Sequence, residues 1–202
     1  MNKLAVALIV SILVGCATSR PHVTREEWLS VTSRTYDGVT KEQIIGAAEQ
    51  LFRLADGDDF DIVHTEEGIS TSRKWFALLI TGTDYWQIKA VPVGNQFRVT
   101  VHVSTHIDPM DGTTRPTTTT VDPAFNPVRG TAIYDIFWSR LDYLLGERAD
   151  WMTCKTADDR VDRRITWGGN SALCNSFNVE DKTPTKPFLS NVLLQKDVTQ
   201  IK

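Results

Sequence analysis

The sequence has no excess of positive charge and few of the residues on which catalysis and metal binding most often depend. Its 202 residues include 22 lysine and arginine against 25 aspartate and glutamate, for a formal net charge of −3, with four histidines and three cysteines. Binding to nucleic acid through its phosphates needs a basic surface, so this balance argues against a nucleic-acid partner. The 12 glycines and eight prolines are too few for a fibrous or wholly disordered chain. The length suits one well-buried domain.

Motifs that carry catalytic chemistry are also missing. The sequence contains no GxSxG nucleophile turn, no HExxH zinc helix and no glycine-rich phosphate loop. Residues 168–171 have the composition of a nucleophile turn, but no histidine lies near them in the sequence. His102 and His106 have a spacing that binds zinc on a helix, yet they fall on a predicted strand, where they stand about 13 Å apart at ~3.3 Å per residue. We therefore expect no enzymatic activity, no cofactor and no metal site.

No apolar run is long enough to cross a membrane, and the one apolar run at the N-terminus has a different character. Lys3 is followed by Leu4 to Val14, which is apolar apart from Ser11. A membrane-spanning helix needs about 20 apolar residues, whereas this run has the length of the apolar region of a signal peptide. The alternatives are an ordinary secretory signal followed by a chance cysteine, or a short buried helix.

The end of this run, Leu13-Val14-Gly15-Cys16, resembles the lipobox of bacterial lipoprotein precursors. The resemblance implies that residues 1–15 are a cleaved signal peptide and that Cys16 becomes the acylated first residue. Because Ala17 follows the cysteine and not aspartate, the family's sorting pattern implies delivery to the outer membrane. Residues 16–23 then form a lipidated tether that is too short to cross the periplasm. We expect a lipid-anchored, periplasm-facing protein whose body lies close to the membrane.

The remaining cysteines are an even pair in what is then an oxidising compartment. Cys154 and Cys174 have only each other as partners, and their disulfide would close a loop of about 20 residues, worth roughly 3 kcal/mol. A metal site or a nucleophilic thiol is the competing interpretation. A metal site needs more ligands at short spacing, and no histidine lies between the two cysteines. We predict a structural disulfide that closes a C-terminal loop.

Two helices and four strands follow from hydrophobic periodicity and turn residues. A capping box at Thr40–Gln43 begins a helix that extends to Ala55, and a second helix covers Ala132–Leu145, with Thr131 as its N-cap and Gly146 after its end. Between them, runs that alternate apolar and polar residues predict an antiparallel meander. The predicted strands are 60–65, 69–81, 85–93 and 97–107, with turns at 66–68, 82–84 and 94–95.

The order of these elements predicts an α+β fold. A single domain over residues 24–178 would hold an antiparallel sheet of four or five strands with two helices packed on one face. The fifth strand is a candidate at 31–36, after a capping box at Thr24–Glu27 that favours a helical turn. Residues 108–130 are a long loop or a hairpin arm, and residues 179–202 are a polar tail. The order is similar to the helix-grip domains of lipoprotein subunits of the outer-membrane β-barrel assembly machinery, an analogy of fold alone.

The candidate partner surface lies on the polar sheet face or in the segment 108–130, with exposed aromatics as candidate anchors. Trp75, Trp86 and Trp138 are expected in the core. The residues assigned to the partner surface are Lys89, Arg98, His102, Trp151 and Trp167, each of which solvation or local packing also explains. We expect a non-enzymatic lipoprotein that binds another envelope component, with a lipid-binding or small-ligand-binding lipoprotein as the alternative. An enzyme with an unrecognised site, or an inhibitor of a secreted toxin, is a third hypothesis.

Overall fold

The computed structural model describes residues 23–56, 59–77, 80–108, 126–174, 182–184 and 187–188. The predicted signal peptide, Cys16 and all but the last residue of the tether lie outside these ranges. Most of the 108–130 segment and of the 179–202 tail also lies outside them.

The described part of the chain forms four helices and six strands. The helices are α1 (Arg25–Thr32), α2 (Lys41–Asp56), α3 (Ala132–Leu145) and α4 (Cys154–Asp162). The strands are β1 (Ser33–Asp37), β2 (Phe60–His64), β3 (Gly68–Ala77), β4 (Ile80–Val93), β5 (Gln96–Asp108) and the two-residue β6 (Asn126–Pro127). The predicted α+β class is therefore confirmed.

The sheet is antiparallel throughout, in the order β1-β5-β4-β3-β2, and β6 extends the edge of β5 beyond β1. The meander of four strands is as predicted, and β1 supplies the fifth. β1 pairs with the first half of β5, where Ser33 lies opposite Thr100 and Asp37 opposite Gln96. The chain thus crosses from the first strand to the meander through α2.

Helices α2 and α3 cover one face of the sheet, where alternate residues of β4 and β5 are buried. The indole of Trp86 lies 5.3 Å from the ring of Phe52 on α2 and 5.6 Å from the ring of Phe137 on α3. The predicted stripe of α2 is buried, as Ile44 and Leu51 show with no exposed surface. α3 is buried on nearly every side, which is typical of a helix enclosed by other elements. The centre of this interface is therefore filled by aromatic rings.

Local signals at the helix ends are mostly confirmed. The capping box at Thr24 is present, and a second one joins Thr40 to Gln43 in both directions. Gly146 ends α3 in the left-handed conformation, with φ of 81°. Thr131 occupies the predicted N-cap position of α3, but its hydroxyl makes no cap bond and instead accepts from the backbone N–H of Trp167.

Two strand boundaries and one helix differ from the predictions. The turn expected at Gly82–Asp84 is wrong, since these residues lie inside β4 and pair with β5. A glycine is needed at this position in the strand because the Trp75 indole occupies the space above it, where a Cβ would lie 2.3 Å from the ring. The predicted first strand begins at Val31, which belongs to α1. Residues 158–162 of the charged run 158–164 form the second half of an unexpected helix, α4.

Candidate functional site

A cleft opens where β5 ends, beside the short strand β6. Its volume is about 720 Å³. The residues that line it are Thr105, Pro127, Val128, Arg129, Gly130, Trp167 and Gly168. They come from the sheet edge, from the segment that leads into α3 and from the loop closed by the disulfide. Three parts of the chain that are distant in sequence thus meet at this cleft.

Beneath the cleft lies a buried carboxylate that fixes one of its lining residues. The Thr105 hydroxyl donates a 2.8 Å hydrogen bond to Asp84 Oδ1, and the Trp75 indole N–H donates to the same oxygen at 3.2 Å. Asp84 is only 5% exposed. Burial raises the pKa of Asp84, while the Thr105 hydroxyl, Arg73 and Trp75 act in the opposite direction. The side of the cleft formed by β5 is therefore held by a polar network.

Arg73 connects that network to the disulfide-closed loop. Its Nη2 lies 3.7 Å from Asp84 Oδ2 and donates a 2.8 Å hydrogen bond to the carbonyl of Ser171. The guanidinium also lies 5.2 Å from the centre of the Phe60 ring. The side chain of Arg73, which is 5% exposed, thus connects the sheet to the disulfide-closed loop.

Two glycines allow the other walls to approach each other. A Cβ on Gly168 would lie 2.5 Å from Gly130 Cα, and Gly168 has φ of +88°, which favours glycine. Next to this contact, Ala132 N–H donates to the Trp167 carbonyl at 3.0 Å, and Trp167 N–H donates to Thr131 Oγ1 at 3.1 Å. The backbone of Trp167 is thus fixed on both sides against the start of α3.

The disulfide predicted between Cys154 and Cys174 is confirmed, with a Cα–Cα distance of 5.6 Å. It joins the start of α4 to the end of the loop that carries Trp167. Arg140, 1% exposed on α3, donates to the Met152 carbonyl at 2.9 Å and to Cys154 Sγ at 3.3 Å. The disulfide therefore packs against α3 and attaches the loop that carries Trp167 to the helical layer.

The five residues predicted for a partner surface lie in three separate places. Trp167 lines the cleft. Trp151 lies in the helical layer, 4.7 Å from the Arg140 guanidinium and 5.6 Å from the Tyr143 ring. Lys89, Arg98 and His102 lie on the sheet face opposite to the one that α2 and α3 cover.

On that outer face the charges are partly paired. Lys89 Nζ lies 2.6 Å from Glu67 Oε2. Burial, and then the charge of Lys89, lower the pKa of His102 below its ordinary value. Arg98 is exposed. These residues form a charged surface of the kind that solvation alone explains.

The cleft residues other than Trp167 were missed by sequence reasoning. The sequence pattern predicts no role for Thr105 beyond its place on a strand, and it predicts a turn at Asp84. The pairing of Arg73 with Asp84 across β3 and β4 places opposite charges on the buried face. If the turn predicted at 82–84 is placed instead in the apolar stretch that follows Trp75, the sequence predicts that Arg73 pairs with Asp84.

Among the described residues, no cluster of histidine, cysteine, aspartate and glutamate is arranged to hold a metal ion. No helix in the described part of the chain is both long enough and apolar enough to cross a membrane. Searches against protein families, curated proteins and solved structures find no match to this chain.

Proposed function

We propose that this chain is a lipoprotein of the bacterial outer membrane, anchored through Cys16, whose periplasm-facing domain binds another component of the cell envelope without catalysing a reaction. The lipobox-like sequence supports the anchor. The observation that carries the binding function is the cleft beside β5 and β6. Its chemistry indicates what a partner would present.

The residues that line the cleft are of types that bind a partner. None of the seven described residues that line it carries a carboxylate, a thiol or an imidazole. Trp167 supplies a half-buried aromatic face, and Arg129 supplies an exposed guanidinium. Aromatic and arginine side chains are enriched among the residues that contribute most to protein interfaces. A protein segment with an apolar side chain beside a carboxylate fits this pair, because Arg129 would bind the carboxylate through its planar donors.

Site-directed charge reversal tests the cleft. Arg129→Glu is expected to reduce recovery of the partner in crosslinking of the lipidated protein in cells. Arg98→Glu is the matched control, because it makes the same charge change at an exposed arginine on the outer sheet face. Loss of the partner with Arg98→Glu but not with Arg129→Glu would move the interface to the outer face and contradict the assignment to the cleft.

A lipid or small apolar ligand is the second candidate for the cleft. Its volume of about 720 Å³ falls within the roughly 300–1,000 Å³ of small-molecule sites. Aromatic rings fill the centre of the interface between the sheet and α3, so the ligand would lie beside Trp167. Native mass spectrometry of purified protein would detect a bound species whose occupancy falls with Trp167→Ala. A clean apo mass would argue against this candidate.

We also infer a helix-grip-like arrangement, in which the curved sheet holds α2 and α3 on one face. The rings of Phe52 and Phe137, 6.2 Å apart, both contact the indole of Trp86, which supports it. An experimental structure in which one of these helices packs outside the sheet face would contradict it.

A further inference from the structure

Three large apolar side chains are exposed at the end of the sheet where β3 ends, β4 begins and β5 ends. Phe76 is 68% exposed, Ile107 is 60% exposed and Ile80 is 49% exposed. The register places them at the same end of the sheet, since Ile80 pairs with the residue after Phe76 and Ile107 pairs with Gly82. The same pairs put Ile80 and Ile107 on the face that α2 and α3 cover and Phe76 on the opposite face, so exposed apolar side chains lie on both faces of this end. Single exposed apolar residues are common on soluble proteins, whereas grouped ones mark contact surfaces. We call Phe76, Ile80 and Ile107 the apolar tip.

The base of the apolar tip has the residues that favour a lipid surface. The sequence from Trp75 to Ile80 contains no charged side chain. Trp75 is half-buried, with its indole N–H bonded to Asp84 and its ring above Gly82, so the strand that carries the tip is held in place. Lys74 is exposed next to it. Tryptophan and lysine beside an apolar segment are typical of the boundary between acyl chains and lipid headgroups.

The chain enters the domain from the same end. β1 runs from Ser33, opposite Thr100, to Asp37, opposite Gln96, so it runs away from Ile107. α1, which precedes β1, runs alongside α3 in the same direction. The ring of its Trp28 lies 5.4 Å from that of Tyr134, and one turn later the Val31 carbonyl accepts from the Trp138 indole.

The direction of α3 then locates the start of α1. The Tyr134 hydroxyl, near the N-terminus of α3, donates to the Val128 carbonyl, and Val128 N–H donates to Val103 on β5. Near the other end of α3, Asp142 accepts from Tyr36 on β1. α3 therefore begins on the Ile107 side of the sheet, and so does α1. Thr24, at the start of α1, therefore lies at the end of the domain that carries the apolar tip.

The tether is short enough to hold that end at a membrane. Residues 17–23, fully extended, span about 25 Å at ~3.5 Å per residue. If Cys16 carries acyl chains in the outer membrane, as in the proposed function on which this inference rests, the apolar tip faces the bilayer within that distance. We propose that the apolar tip inserts into the lipid surface as a second membrane contact. The cleft, which Thr105 lines two residues before Ile107, would then open beside the membrane.

An environment-sensitive probe tests this directly. Phe76→Cys, labelled with nitrobenzoxadiazole, is placed in the full lipidated protein in vesicles of phosphatidylethanolamine and phosphatidylglycerol. In acylated protein the introduced cysteine is the free thiol, because Cys154 and Cys174 are bonded to each other. Val93→Cys is the control, since Val93 is 42% exposed and lies at the opposite hairpin. We expect blue-shifted emission and quenching by doxyl-labelled acyl chains at position 76, and water-like emission without quenching at position 93.

Each outcome supports or overturns the inference. Water-like emission at position 76 in protein whose intact mass shows acylation overturns the membrane contact and leaves the anchor standing. Emission that is blue-shifted but not quenched by doxyl lipid would indicate a protein surface or a second copy of the chain, and also overturns it. An intact mass without acyl groups overturns the proposed function, and the inference with it. Ile107→Cys repeats the test on β5 and is expected to behave as Phe76→Cys does.

Discussion

Removing the disulfide is expected to lower the stability of the domain by an amount that the structure predicts. The bridge joins Cys154 to Cys174 with a sequence separation of 20. The enclosed segment contains α4 and the loop that carries Trp167 and Gly168 into the cleft. The perturbation is the double substitution Cys154→Ala with Cys174→Ala, which leaves no free thiol at either position.

The magnitude follows from the entropy that the crosslink removes from the unfolded chain. For a loop of 20 residues the chain-entropy model gives about 11 cal/mol/K, or about 3 kcal/mol at room temperature. Native-state contacts change less, since Cys174 is a small side chain and Cys154 Sγ accepts one hydrogen bond from Arg140 at 3.3 Å. Typical domains are stable by only about 5–15 kcal/mol, so the loss is a large fraction of the total.

Urea unfolding followed by far-ultraviolet circular dichroism measures this difference. We expect the variant to be about 3 kcal/mol less stable than the oxidised protein, and a reductant to lower the oxidised protein to a similar value. The same reductant should leave the double variant unchanged, which is the internal control. A loss below about 1 kcal/mol would refute the argument that the bridge restrains this loop in the unfolded state.

Three further predictions concern single residues. Gly82→Ala places a Cβ 2.3 Å from the Trp75 ring, so thermal unfolding should show a loss of about 1–3 kcal/mol, typical of overpacking; an unchanged melting temperature would argue against the close contact. Tyr36→Phe removes a 2.7 Å hydrogen bond to the Asp142 carboxylate and should cost about 1.5–3 kcal/mol in urea unfolding; a loss within error would mean that the bond is not made in solution. Titration of His102 by NMR should give a pKa below 6.5, because burial disfavours the imidazolium. Since the unfolded imidazole then binds its proton first, the contribution of His102 to stability falls as the pH drops below about 6.5. His102 is exposed at the surface, so a measured pKa above that value would contradict the partial desolvation of its ring.

The predictions that succeeded from the sequence depend on local contacts. The capping boxes at Thr24 and Thr40 need only residues three positions apart, and the end of α3 needs only the conformational freedom of Gly146. The stripe of α2 and the alternation in β5 follow from one buried face each. These signals fix the α+β class before any tertiary contact is known.

The predictions that failed depend on contacts between distant residues. Gly82 and Asp84 have the composition of a turn, but Trp75 covers the glycine and donates to the aspartate from the neighbouring strand. The cleft depends on an approach of Gly130 to Gly168, across 38 positions of sequence. No local pattern indicates such an approach. The sequence therefore predicts Trp167 as an interface residue but not the other residues that line the cleft.

The central claim is that the anchored domain binds a component of the cell envelope, and crosslinking in cells tests it most directly. The tagged, lipidated protein is crosslinked and its adducts are identified by mass spectrometry, beside a Cys16→Ala control that cannot receive the acyl chains. The account predicts one dominant partner whose recovery falls in the control. No reproducible partner for the lipidated protein, or equal recovery with and without the anchor, would contradict it.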